Sequence, residues 1–138
     1  MPVDSRDLVA SARRAAAHSW SPYSRFPVGA ALLCADGTVV TGTNVENRSY
    51  GLTNCAERSA LFAAVSLGKR DFQALAVYCP ASQQPVPPCG ACRQVLSEFC
   101  LPDMPVYYGG TNGTVACATI GELLPADSLH DLKERVKG

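Results

Sequence analysis

Two short segments constrain this chain more than anything else in it. Thr53-Asn54-Cys55-Ala56-Glu57-Arg58-Ser59 supplies one cysteine with a glutamate two residues on, and Pro88-Cys89-Gly90-Ala91-Cys92-Arg93-Gln94 supplies a proline-led Cys-x-x-Cys. A fold that brings Cys55, Cys89 and Cys92 together makes a set of three thiolates. Such a set can hold a Zn²⁺ and leave the fourth tetrahedral position for water, the catalytic form of a zinc site. A carboxylate that is not a ligand, here Glu57, can then move protons to and from that water.

A Cys-x-x-Cys alone also fits half of a structural zinc site or a redox pair. The redox reading needs a strand running into the motif, and here Pro87-Pro88 and an extended loop precede it. The structural reading needs a fourth ligand. Cys100 is the candidate, but there is no second Cys-x-x-Cys and no nearby histidine. Counting Cys55-Ala56-Glu57 favours catalytic zinc. Charge raises a difficulty, because three thiolates outweigh the two charges of Zn²⁺ and a bound hydroxide adds one more negative charge. Arg58 answers part of it, lying three residues after Cys55 and so on the same side of a helix. Arg93 and Gln94 are candidates to bond a thiolate or to orient Arg58. Spacing alone does not bring Glu57 to the metal, since two residues is about half a turn from Cys55.

With 138 residues, and neither a linker nor a repeat, the chain reads as one domain over 1–138. A 47% hydrophobic content and zero formal net charge exclude a disordered chain and a protein that holds a polynucleotide mainly by basic charge. Met1 to Asp7 has no basic stretch followed by an apolar one, and no twenty-residue apolar run follows. A cytosolic protein without a membrane span is expected. Seven cysteines, an odd count, argue against a disulfide framework. Cys34, Cys79 and Cys117 are expected as buried reduced thiols, and His18 as a surface residue at a helix end.

Leu8, Val9, Ala12, Ala15 and Ala16 recur at helical spacing behind Asp4 and Ser5, predicting a helix from Ser5 to His18. A strand over Phe26–Leu33, a turn at Asp36-Gly37 and a strand over Thr38–Val45 make a hairpin. Asn44 and Glu46 lie two apart at its end and so face one way. A helix from Asn54 or Cys55 to Leu67 is apolar nearly all round, which predicts burial, and Gly68 ends it. Strands over Ala74–Cys79, Met104–Tyr108 and Thr114–Ala118, helices over Gly90–Phe99 and Ile120–Pro125, and a tail helix capped by Asp127 or Ser128 through Val136 follow. This order implies one mixed sheet with helices on both faces. Both cysteine segments open helices, whose positive ends favour thiolates.

The sequence resembles the cytidine deaminases of the small, single-domain type. Val28-Gly29-Ala30-Ala31-Leu32, Asn44-Val45-Glu46-Asn47, Cys55-Ala56-Glu57-Arg58, Pro88-Cys89-Gly90-Ala91-Cys92-Arg93-Gln94 and Glu122-Leu123-Leu124-Pro125 stand where that family has them. The resemblance implies a three-layer α/β/α sandwich around a five-stranded mixed sheet, a homotetramer and one Zn²⁺ per subunit. It implies attack on C4 of cytosine, with Glu57 taking the water proton, protonating N3 and later the leaving ammonia. By the same resemblance, Phe26 stacks on the base, the backbone around Ala56 and Cys89 holds the pyrimidine edge, Asn44 and Glu46 hold the ribose 3′-hydroxyl, and Tyr50 reaches a neighbouring subunit's site. The family usually carries a phenylalanine after Leu-Leu-Pro that completes an adjacent site. Here Ala126-Asp127-Ser128 follows, leaving Ser128 or Leu129 for that place.

Three functions compete. The first is deamination of cytidine and deoxycytidine, taken as free nucleosides. The second is deamination of another aminated nucleoside or nucleoside antibiotic by the same fold. Glu46 separates the two, because a carboxylate there suits a sugar hydroxyl. The third is a zinc-stabilised binding module without chemistry. Glu57 in an apolar helix argues against it, since an unpaired buried carboxylate is costly without a task.

Overall fold

A computed structural model of the chain describes residues 4–127. The expected tail helix, Ser128 and Leu129 lie outside the described residues.

The N-terminal helix, α1 (Ser5–Ala16), starts where Asp4 Oδ1 accepts the Arg6 N–H at 3.0 Å, and it buries Leu8, Val9, Ala12, Ala15 and Ala16. It stops two residues short of His18, which is exposed in the following turn. Strands β1 (Gly29–Cys34) and β2 (Val39–Thr43) form the expected hairpin. Gly37 takes φ +91° at its tip, a conformation that glycine adopts without steric cost. After a 3₁₀ turn at Tyr50–Leu52 come α2 (Ala56–Ser66), β3 (Phe72–Tyr78), α3 (Gly90–Phe99), β4 (Pro105–Gly109), β5 (Val115–Thr119) and a short α4 (Ile120–Leu123).

The strands lie in the order β2-β1-β3-β4-β5. Only the β3–β4 pair is parallel; the others are antiparallel. Successive side chains of a strand face opposite ways. Ala30, Leu32 and Cys34 of β1 therefore join Leu75 and Val77 of β3 under α2 and α3, while Ala31 and Leu33 join Ala74 and Ala76 under α1. All six residues of β1 are buried, which is why its sequence is an unbroken apolar run. The three-layer α/β/α sandwich with a five-stranded mixed sheet follows from this double covering.

Two glycines let the layers close. A Cβ on Gly29 would sit 1.9 Å from the Ala12 carbonyl oxygen of α1. One on Gly42 would sit 2.4 Å from the Ala60 nitrogen of α2. Both helices thus lie directly on strand backbone, and α2, which follows Cys55, is seated by the Gly42 approach.

Three expectations need correction. Phe26–Val28 precede the strand rather than belonging to it. Pro27 has no N–H to give a ladder, and the Val28 N–H donates to Asn44 Oδ1 at 2.9 Å. Helix α2 is not buried all round, because the sheet covers only the side carrying Ala56, Ala60, Leu61 and Ala64, leaving Phe62 and Leu67 exposed. Cys117 is exposed, unlike Cys34 and Cys79. It stands on the edge strand β5, paired only with β4, beyond the β1 and β3 residues that α1 covers.

Candidate active site

Cys55 and Cys89 occupy the residues that cap the N-termini of α2 and α3, and Cys92 lies in the first turn of α3. Neither thiol makes a capping hydrogen bond to the backbone of its own helix. The three Sγ atoms lie within 4.8 Å of one another, with Cys55 and Cys89 at 3.7 Å. Zinc–sulfur bonds of about 2.3 Å at tetrahedral angles set sulfurs about 3.8 Å apart, so the donor set fits Zn²⁺ in chemistry and in size. Cys100 does not compete, being buried in the core beneath α3.

Charge inside the cluster is unevenly shared. Hydrogen bonds from Cys92, then Arg58 and Cys89, pull the Cys55 thiol down to about 5. The same Cys55 bond and burial push Cys92 the other way. Arg58 reaches back along α2 and donates from Nη2 to Cys55 Sγ at 3.1 Å. That bond raises its own pKa. Arg93 and Gln94 bond elsewhere. Arg93 Nε donates to the Pro88 carbonyl at 2.8 Å and Nη1 to the Leu123 carbonyl at 3.1 Å, while Gln94 Nε2 donates to Ser97 Oγ at 3.4 Å. Arg93 instead ties the loop before Cys89 to the end of α4.

Glu57 is 5% exposed. Burial lifts its carboxyl to about 7, with the Cys55 charge adding to the rise and Arg58 opposing it. Cys92 of α3 lies close enough to interact with it, so the other helix brings Glu57 a thiol that spacing along α2 does not.

A cavity of about 410 Å³ opens over Cys55, Cys89 and Glu57. Its walls include Phe26, Val28, Ala56, Val86 and Pro87, with Asn44, Glu46, Thr53 and Ser24 at polar positions. Phe26, Asn44, Glu46, Ala56 and Glu57 therefore share one space with the thiols. Cys79, buried just past the end of β3, also lines it. Its position in an apolar strand gave no sign of this, because only the end of that strand meets the cavity. Burial, helped by the Glu57 charge, raises its thiol to about 11.

Asn44 is nearly buried and already committed: Oδ1 accepts from Val28 N and Ser19 Oγ, and Nδ2 donates to the Phe26 carbonyl at 2.9 Å. Tyr50 stands apart. It is 75% exposed, meets Tyr23 edge to face at 5.9 Å between ring centres, and borders a separate hollow with Ser24, Glu46 and Thr53.

Thiols from two helix starts closing on one point beside a buried carboxylate, under an apolar cavity, make the centre of a zinc-dependent hydrolase. The chain belongs to the cytidine and deoxycytidylate deaminase family, whose zinc-binding region it matches over residues 3–108. A cytidine deaminase from Halalkalibacterium halodurans is 54% identical over 133 residues, covering 94% of this chain and 100% of that protein. One from Sporosarcina psychrophila is 51% identical over 131 residues, covering 94% and 96%. The crystal structure of cytidine deaminase from Burkholderia pseudomallei superposes with a TM-score of 0.87 at 45% identity, covering 90% of this chain and 98% of that one. No helix among the described residues is long and apolar enough to cross a membrane.

Proposed function

We propose that this chain catalyses the hydrolytic deamination of cytidine and deoxycytidine to uridine and deoxyuridine, releasing ammonia. The observation that carries this reading is the single cavity shared by Glu57, Cys55, Cys89 and the polar pair Asn44 and Glu46, with Cys92 buried beside the other two thiols. Zn²⁺ held by Cys55, Cys89 and Cys92 supplies a Lewis acid that makes a nucleophile of water at neutral pH.

The protein's own groups do the rest. Glu57 carries the proton lost by water to ring N3 and then serves the amine that departs from C4. A carboxyl poised near neutrality can both take and give a proton there. Phe26 offers an aromatic face to the base, and the chain at Ala56 and Cys89 borders its edge. Glu46, ionised, accepts the 3′-hydroxyl of the sugar and repels a 3′-phosphate, which selects free nucleoside over polynucleotide. Asn44 serves the same subsite, with one amide hydrogen left to give.

The reading extends to a homotetramer with shared sites. Phe62, Leu67, Leu52 and Tyr50 are large, exposed and apolar, and a partner subunit would cover them. Tyr50, standing clear of its own site, is free to enter another. A pyrimidine salvage role in the cytoplasm suits three thiols that must stay reduced to hold metal.

The test is ammonia release from cytidine by the purified, zinc-loaded protein, alongside Cys89→Ala. One zinc per chain and turnover in the parent, with both lost in Cys89→Ala, are expected. A Cys89→Ala protein that kept its zinc and its activity would overturn the ligand assignment, and an inactive zinc-loaded parent would overturn the activity.

A further inference from the structure

Glu46 does not meet the cavity as an unencumbered carboxylate. Its Oε1 accepts two backbone N–H groups, from Tyr23 at 2.9 Å and Ser24 at 3.1 Å, and its Oε2 accepts the Ser24 hydroxyl. The Ser24 oxygen in turn accepts the Phe26 N–H at 3.0 Å. One side chain therefore joins the carboxylate to the backbone of the aromatic residue beside it. The turn is held tightly. Arg25 N donates to the Ser21 carbonyl at 2.9 Å, and Arg25 takes φ +55°, a left-handed conformation that non-glycine residues keep only where the surroundings enforce it.

A carboxylate has about four acceptor positions, two on each oxygen. Oε1 is filled by the two N–H groups, and one position on Oε2 is filled by Ser24. That leaves a single acceptor position on Oε2, at a residue that lines the cavity together with Ser24, Phe26 and Asn44.

We infer that Ser24 is a positioning residue for substrate discrimination: its hydroxyl fixes Glu46 Oε2 so that one open acceptor meets the sugar hydroxyl. This rests on the proposed nucleoside reading and adds to it the group that aims Glu46. The hydrogen bond from the Ser24 hydroxyl is also the main cause that holds the Glu46 carboxyl below the usual carboxylate range.

The experiment compares kcat and KM for cytidine and 3′-deoxycytidine in the zinc-loaded parent, Ser24→Ala, Ser24→Thr and Glu46→Ala. Loss of a hydrogen bond to a charged group is worth about tenfold or more. Ser24→Ala should therefore raise KM for cytidine by about tenfold or more with a smaller change in kcat, and 3′-deoxycytidine should be nearly unaffected. The preference for cytidine thus shrinks. Ser24→Thr, which restores a hydroxyl, should recover most of it. Equal losses on both substrates would mean that Ser24 only supports the fold, and no loss on either would mean that the bond is idle; each overturns the inference. A parent that fails to discriminate the two substrates, or a Glu46→Ala variant that discriminates as well as the parent, sinks the nucleoside reading itself instead.

Discussion

Arg58 donates to Cys55 Sγ at 3.1 Å, and its Nε is buried without a partner among the described residues. A guanidinium fixed in this way supplies positive charge where three thiolates would otherwise carry too much negative charge for a single Zn²⁺. It also orients the first cysteine. Arg58→Gln should therefore keep the fold and weaken zinc retention or turnover by about 10–100-fold, the usual cost of losing a group that orients a metal ligand. Competition with a chelator, read beside kcat/KM, checks this. An unchanged variant would make Arg58 a bystander.

Glu57→Gln should retain zinc and structure while turnover falls by about 10⁴-fold or more, since one carboxylate serves several proton transfers. Activity within tenfold of the parent would remove Glu57 from the reaction.

The same variant has a second signature in metal-free protein. The folded carboxyl holds its proton to about pH 7, whereas the unfolded group releases it near its ordinary value of 4.5. Stability from this group is therefore full below about pH 4.5 and is lost as pH rises toward 7, by about 3 kcal/mol in all. Cys55, with its pKa depressed, works in the opposite sense, adding stability as pH rises from about 5 toward 9. Subtracting the pH profile of Glu57→Gln from that of the parent isolates Glu57. Denaturant titrations at pH 5 and pH 8 should show the variant gaining on the parent at the higher pH. Parallel profiles would contradict the buried-carboxyl account.

Gly42→Ala should cost about 1–3 kcal/mol or more, because the added Cβ meets helix backbone that has no rotamer to yield. It should also loosen zinc, since the displaced helix follows Cys55. Gly51→Ala is the control, as a Cβ there meets nothing within 4 Å. Urea midpoints and zinc content report both effects. Equal midpoints for the two variants would show that α2 can lift off β2 without cost.

Phe62→Glu places a charge on the open side of α2. An exposed position tolerates this within about 0.5 kcal/mol in an isolated subunit. Light scattering should find the parent as a tetramer and the variant dissociated, with activity falling alongside. A parent that is active as a monomer at micromolar concentration would end the shared-site reading.

The sequence by itself determined the alternation of elements, the hairpin at Asp36-Gly37 and the three thiols that the fold brings together as a candidate zinc site. Each is written in local spacing: period two for strands, a turn dipeptide, and ligands at the starts of two helices. The sugar-contact role proposed for Glu46 was legible only through the family, and the partners that hold its carboxylate were not legible at all. Tyr23 and Ser24 lie far from it in the chain and meet it only when the Ser21–Arg25 turn folds against the end of β2. The same limit held elsewhere. Glu57 was half a turn from Cys55 along its own helix, and its approach to Cys92 came from α3. Apolar composition made α2 look wholly buried, because periodicity reports how much of a helix wishes to leave water and not how much sheet there is to cover it. Cys117 followed the strand pattern inward, but β5 lies at the edge of the sheet, and among the described residues Cys117 is exposed there. Contacts within a turn or a strand are set by residues a few positions apart. Those that build the pocket join segments distant in the chain, and only packing of the layers decides which of them touch.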